Sequence, residues 1–135
     1  MLQKEAVVTE KAPQPIGQYS QAIKAGNLLF LAGQVGQDPR TGKVPEGDIE
    51  AEIRQAFENI KNIVESAGSS LEFIVRTLTF VTDLNIYPHF RKVRAEYLPT
   101  KAPPVNSFIQ ASGLQLGASI EIEAIALIPD KLKRD

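Results

Sequence analysis

Ile120-Glu121-Ile122-Glu123-Ala124-Ile125-Ala126-Leu127-Ile128 is the stretch on which the fold of this chain turns. Its β-branched content reads as a strand, and side chains along a strand alternate between faces. Ile120, Ile122, Ala124, Ala126 and Ile128 therefore share one apolar face. The other carries Glu121 and Glu123 beside Ile125 and Leu127. A carboxylate is costly to bury without a partner, so that second face either meets water or uses its carboxylates in a cleft.

Working outward, 135 residues suit one domain, 1–135, with a respectable core. A net charge of −1 with dispersed Lys and Arg gives no electrostatic case for nucleic acid or an anionic membrane. With no cysteine, disulfides, thiolate metal sites and a Cys nucleophile are excluded. One histidine, His89, excludes multi-histidine metal centres, and no metal ligand is assigned. The longest apolar run, Leu28 to Ala32, is too short for a membrane span. The opening Met1-Leu2-Gln3-Lys4-Glu5 has no signal-peptide character, so a cytoplasmic location is expected. The basic run Lys131-Leu132-Lys133-Arg134 reads as a solvated tail.

The pattern continues with short strand candidates at Ala6-Val7-Val8 and Gln21 to Lys24, separated by a Pro- and Gly-containing loop. Leu28 to Val35 is nearly continuous in apolar residues, as in a strand covered on both faces. Ile53, Phe57, Ile60, Val64 and Ala67 recur at helical spacing, with Asp48 as N-cap and Gly68 as stop. Arg76 to Thr82 is a strand. Asn85 is a candidate cap for a second helix whose stripe is Phe90, Val93 and Tyr97. Val105 to Ala111 and the quoted stretch close the chain. This order predicts an α+β domain, with both helices on one face of a mixed sheet. The opposite face, expected to carry Glu121, Glu123 and Phe108, is too apolar for plain solvent, and a symmetric oligomer would cover it.

Asn106, Phe108 and Gln110 alternate onto one face of their strand. If that strand neighbours the last one, Asn106 and Phe108 approach Glu121 and place an amide, an aromatic and a carboxylate together. Partial burial would raise the Glu121 pKa and suit it to general-base work; the polar rim of an oligomer interface is the alternative. Gly33, at a strand end, offers backbone groups to a ligand or marks a bulge. Tyr19 packs over a pocket or over the core. Arg91 and Arg94 project from the second helix, toward a ligand or simply into solvent. His89 sits in a polar first turn without a partner at ligand spacing. Phosphate loops, dinucleotide fingerprints and nucleophile elbows are absent from the sequence.

Several segments carry a resemblance. Pro15-Ile16-Gly17-Gln18-Tyr19-Ser20-Gln21-Ala22 resembles an I-G-P-Y-S-Q-A block, and Ala32-Gly33-Gln34-Val35 with Asp38-Pro39-Arg40-Thr41-Gly42 resembles S-G-Q-I and D-P-K-T-G segments. Val81-Thr82-Asp83-Leu84, Ala95-Glu96-Tyr97 and Ile120 to Ala126 match further on. Together they are similar to the RidA (YjgF) family over nearly the whole chain. The resemblance implies a chorismate-mutase-like α+β fold and a homotrimer with ligand clefts between subunits. It also implies hydrolysis of reactive 2-imino or 2-enamino acids to 2-keto acids and ammonia, a 2-iminobutanoate/2-iminopropanoate deaminase activity without cofactor or metal. Glu121 matches the residue that activates water, Gly33 a backbone contact, and Tyr19 a cleft-lining position.

Two departures bear on that activity. The family's substrate-gripping arginine lies in a P-A-R-S block, where this chain has Pro104-Val105-Asn106-Ser107. Asn106 takes the arginine position and Phe108 a cleft position that is often Cys. Loss of a charge-assisted contact typically removes about 1.5–3 kcal/mol. In the second helix, Arg91 takes a family asparagine position and Arg94 a tyrosine position. One reading is that Arg and Asn have exchanged places, so that Arg91 supplies the guanidinium. The alternative to catalysis is a trimer that binds small metabolites, or acts through protein contacts. A ribonuclease or translation-inhibitor activity, attached to some relatives, draws no support from the near-neutral charge.

Overall fold

Residues 3–129 are described in a computed structural model of the chain, and the basic run Lys131–Arg134 lies outside them. Six strands, β1 (Lys4–Val7), β2 (Ala22–Ala25), β3 (Leu28–Val35), β4 (Ile74–Val81), β5 (Val105–Gln110) and β6 (Ile120–Leu127), form one sheet in the order β1-β2-β3-β6-β4-β5. The β4–β5 pair is parallel and all other neighbours are antiparallel. Two helices, α1 (Ile49–Ser66) and α2 (Tyr87–Tyr97), cover one face, the α+β arrangement that the pattern predicts.

Alternation in β6 builds the core. Ile120, Ile122, Ala124 and Ala126 are buried under the helices, while Glu121 and Glu123 face away. Ile53, Phe57, Ile60 and Val64 of α1 meet them, because residues three and four apart share a helix face. Asp48 caps α1, its carboxylate accepting from Ala51 N at 3.0 Å. Gly68 ends it at φ 83°, a left-handed conformation that glycine adopts without steric cost. Phe57 stacks on Phe90 and Tyr97, with ring centroids 6.1 and 5.2 Å apart, and so locks the two helices together.

Three expectations are corrected. Asn85 does not cap α2: the Asp83 carboxylate accepts from Asn85 N at 2.9 Å, capping a short 3-10 turn (Leu84–Ile86) that runs directly into the helix. β3 is covered on one face only, since a single chain has helices on one side; Leu29 and Leu31 are buried but Phe30 is 43% exposed. Phe108 lies on the helix side, among Tyr87 and Phe90, and not on the face of Glu121. The open face still presents Phe30, Ile109 and Leu127, an apolar surface that a monomer would leave in water.

Buried polar side chains hold the loops at the end of β3. Asn59, fully buried on α1, donates through Nδ2 to the carbonyls of Val35 (3.1 Å) and Gln37 (2.9 Å), while its Oδ1 accepts from Gln55. Glu52 accepts from Ser119 N at 2.6 Å and ties α1 to the β5–β6 loop. Burial pushes the Glu52 carboxyl above its ordinary 4.5 despite that bond. Asn59→Leu strands two carbonyls and should cost about 1–3 kcal/mol. Urea unfolding reads this as a lower midpoint; an unchanged midpoint would contradict the anchoring role.

Candidate functional site

Register decides which residues can meet. In the β4–β6 pair, Phe80 lies opposite Glu121 and Leu78 opposite Glu123, while Thr77 and Thr79 lie opposite Ala124 and Ile122. In the β4–β5 pair, Asn106 is level with Thr77 and Phe108 with Thr79. Asn106 and Phe108 are thus on the helix face and Glu121 on the open face. The expected approach of Asn106 and Phe108 to Glu121 within one chain does not occur, because β4 stands between β5 and β6 and the pleat sends the residues to opposite sides.

On the open face, β3 shifts register against β6 between Leu31 and Gln34, so Gly33 sits in an irregularity of the ladder. A Cβ at Gly33 would run into the Glu121 carboxylate, so only glycine lets this carboxylate lie against the β3 backbone. Tyr19, in the loop before β2, lines a narrow recess with Gly33, Gln34 and Gln115, and its hydroxyl accepts from Ile16 N at 3.3 Å. Glu121 has no hydrogen-bond or ion-pair partner among the described residues. Burial raises its carboxyl above the ordinary 4.5, and repulsion from Glu123 raises it further.

On the helix face, Arg91, Arg94, Asn106 and Thr77 line one cavity of about 340 Å³, walled by Leu98 and the prolines of the α2–β5 loop. The Asn106 Oδ1 accepts from both Thr77 Oγ1 (2.9 Å) and Thr79 Oγ1 (3.0 Å), which leaves its Nδ2 as the amide's open donor. These two buried threonines escaped sequence reasoning. Their signal was two hydroxyls at period two on a strand face otherwise apolar. Arg91 is exposed and forms no ion pair with the described residues, whereas its neighbour Lys92 is bound to Glu50 at 3.1 Å. Phe108 packs edge-on against Tyr87 at 5.1 Å and lies outside the residues that line the cavity. His89 is held at the surface by Glu50, 2.8 Å away, and lines neither the Tyr19 recess nor the Arg91 cavity.

The sequence model of a family described as Endoribonuclease L-PSP matches residues 9–128. A RutC family protein of Pyrococcus horikoshii is 47% identical over 123 residues, 91% of this chain and 97% of the relative. A 2-iminobutanoate/2-iminopropanoate deaminase of Dermatophagoides farinae is 37% identical over 128 residues, 95% and 99% of the two chains. The crystal structure of RidA from the Antarctic bacterium Psychrobacter superposes with a TM-score of 0.87 at 39% identity, covering 92% of this chain and 99% of that one. The chain belongs to the RidA family. Its α+β fold is that of solved RidA-family chains. Among the described residues, no helix is long and apolar enough to cross a membrane, and no group of three or more His, Cys, Asp or Glu side chains could hold a metal ion.

The raised Glu121 pKa has a sign that can be tested. A carboxyl whose folded pKa exceeds its unfolded value keeps its proton longer in the native state, so stability falls as pH rises from 4.5 through the raised value. Glu121→Gln should therefore melt at a higher temperature than the parent at pH 8, with the gap closing toward pH 4. A gap independent of pH would contradict the burial of this group.

Proposed function

We propose that this chain is a RidA-type hydrolase of small reactive 2-imino acids, acting in clefts between the copies of a homotrimer. One copy supplies Glu121, Gly33 and Tyr19, and the next supplies Arg91 and Asn106. The observation that carries the reading is the cavity that gathers an unpaired Arg91 guanidinium beside the open amide donor of Asn106. That combination can grip a carboxylate, with the guanidinium supplying the charge that asparagine lacks. The two clusters lie on opposite faces of one sheet, so a second copy is needed to bring them to one substrate. The open apolar face gives that copy a surface to bury.

The chemistry follows from the groups. Arg91 and Asn106 hold the substrate carboxylate, and the Gly33 backbone positions the imine between Glu121 and the gripping residues. Glu121, as carboxylate, takes a proton from water as the water oxygen bonds to the imine carbon. It gives that proton to the nitrogen, leaving a neutral carbinolamine. It then takes the hydroxyl proton and passes it to the same nitrogen as the C–N bond breaks, so that both water protons leave on ammonia and the 2-keto acid carbonyl forms. A carboxyl raised by burial suits both halves of this cycle.

A second reading, a trimer that binds metabolites without turnover, is favoured by one feature: the sheet position beside Thr77 carries an amide and not a guanidinium. Generating 2-iminobutyrate or 2-iminopropionate enzymatically in situ, with and without this protein, separates the two. Hydrolysis should accelerate at micromolar protein, and Arg91→Ala and Glu121→Gln should each lower the rate by roughly tenfold or more. No acceleration would reject the enzyme and leave the binding trimer. Unimpaired Arg91→Ala activity would reject the exchange of Arg and Asn.

A further inference from the structure

The cavity on the helix face holds a second cation that a substrate with one carboxylate does not use. Arg94 follows Arg91 by three residues on α2, which brings their Cβ atoms to about 5–6 Å on one helix face. Its guanidinium carbon lies 5.1 Å from the centroid of the Phe90 ring and 5.8 Å from that of Tyr87, and Nη2 donates to the Tyr87 hydroxyl at 3.3 Å. Phe108 braces both rings from β5, with centroids 5.1 and 5.2 Å away. Aromatic rings orient a guanidinium without neutralising it. Arg94 has five N–H donors, and the Tyr87 bond occupies one of them.

The charges around the cavity are asymmetric. Its lining includes Arg91 and Arg94 and no carboxylate. Two basic neighbours on this helix pair are already engaged: Lys92 by Glu50, and Arg54 by Glu50 and by a two-pronged contact with Glu96. The two cations facing the cavity form no ion pair with the described residues. Leu98, Pro99, Pro103 and Pro104 form the other wall, which is apolar and carries no competing charge. The donor set consists of two guanidinium groups and the Asn106 Nδ2, and the Asn106 Oδ1 is already taken up by the two threonine hydroxyls.

The geometry points to a small organic dianion as the ligand of this cavity, a 2-imino or 2-oxo dicarboxylic acid. Arg91 and Asn106 share its first carboxylate, and Arg94, held by Tyr87 and Phe90, takes the second. A Cβ separation of about 5–6 Å, with two flexible side chains beyond it, lets the two guanidinium groups span the carboxylates of a four- or five-carbon diacid. A volume of about 340 Å³ admits such a molecule. This inference rests on the proposed function and adds a substrate class to it. Arg94 is then the residue that selects diacids over monoacids.

Isothermal titration calorimetry at fixed ionic strength tests this with the stable keto-acid products. The wild-type protein should bind 2-oxoglutarate about tenfold or more tightly than 2-oxobutyrate, as expected for one additional charge-assisted contact. Arg94→Met should bring that ratio close to one, while Lys92→Met, whose ammonium is engaged by Glu50, should preserve it. Near-UV circular dichroism checks that each variant keeps its aromatic packing. Equal affinities for the two keto acids in the wild type, or a ratio that survives Arg94→Met, would overturn the diacid inference alone. Inorganic phosphate binding as tightly as 2-oxoglutarate would also overturn it, since one compact anion would then satisfy the site. If neither keto acid binds at millimolar concentration, the proposed function falls as well.

Discussion

The two halves of the sheet are joined through β6. It pairs with β3 on one edge and β4 on the other, so the last strand of the chain occupies the middle of the sheet. Antiparallel hydrogen bonding on both edges fixes its register, and a slip of one residue would exchange its faces. Such a slip would drive Glu121 and Glu123 under α1 and expose Ile120 and Ile122. The high cost of an unpaired buried carboxylate therefore specifies both the core and the position of Glu121.

That same pleat divides the candidate site. Glu121 reaches the open face against Gly33, where the backbone leaves room for a carboxylate and for no Cβ. Asn106, two strands away, points to the helix face and is oriented there by Thr77 and Thr79. Each cluster is chemically one-sided. One presents an unpaired acid and the other presents donors and cations. An apolar open face and two complementary half-sites are what the proposed assembly, whose copies would complete one another's clefts, accounts for together.

Much of this was legible locally. The alternation of Ile120 to Leu127, the Asp48 cap, the Gly68 stop and the α1 stripe are set by neighbours within a few residues, and all four are found in the structure. The order of the strands is a long-range property that no period encodes. Hence β5 could be imagined beside β6, and Asn106 and Phe108 beside Glu121, when β4 intervenes. The role of Arg94 was equally hidden. Helical spacing puts it near Arg91, but its setting depends on Tyr87, Phe90 and Phe108, which converge only in three dimensions. Asp83 capping ahead of Asn85 is a smaller case of the same kind, since both residues are good caps and a short 3-10 turn decided between them.

The claim that the two half-sites belong to different copies is the centre of this account. Subunit exchange between two variants tests it most directly. Glu121→Gln and Arg91→Ala proteins, each impaired alone, are unfolded together in equal amounts, refolded, and assayed on enzymatically generated 2-iminobutyrate. Composite clefts predict that activity returns, with about a quarter of the clefts carrying both intact residues in a random mixture. A mixture no more active than its separate components would contradict the account.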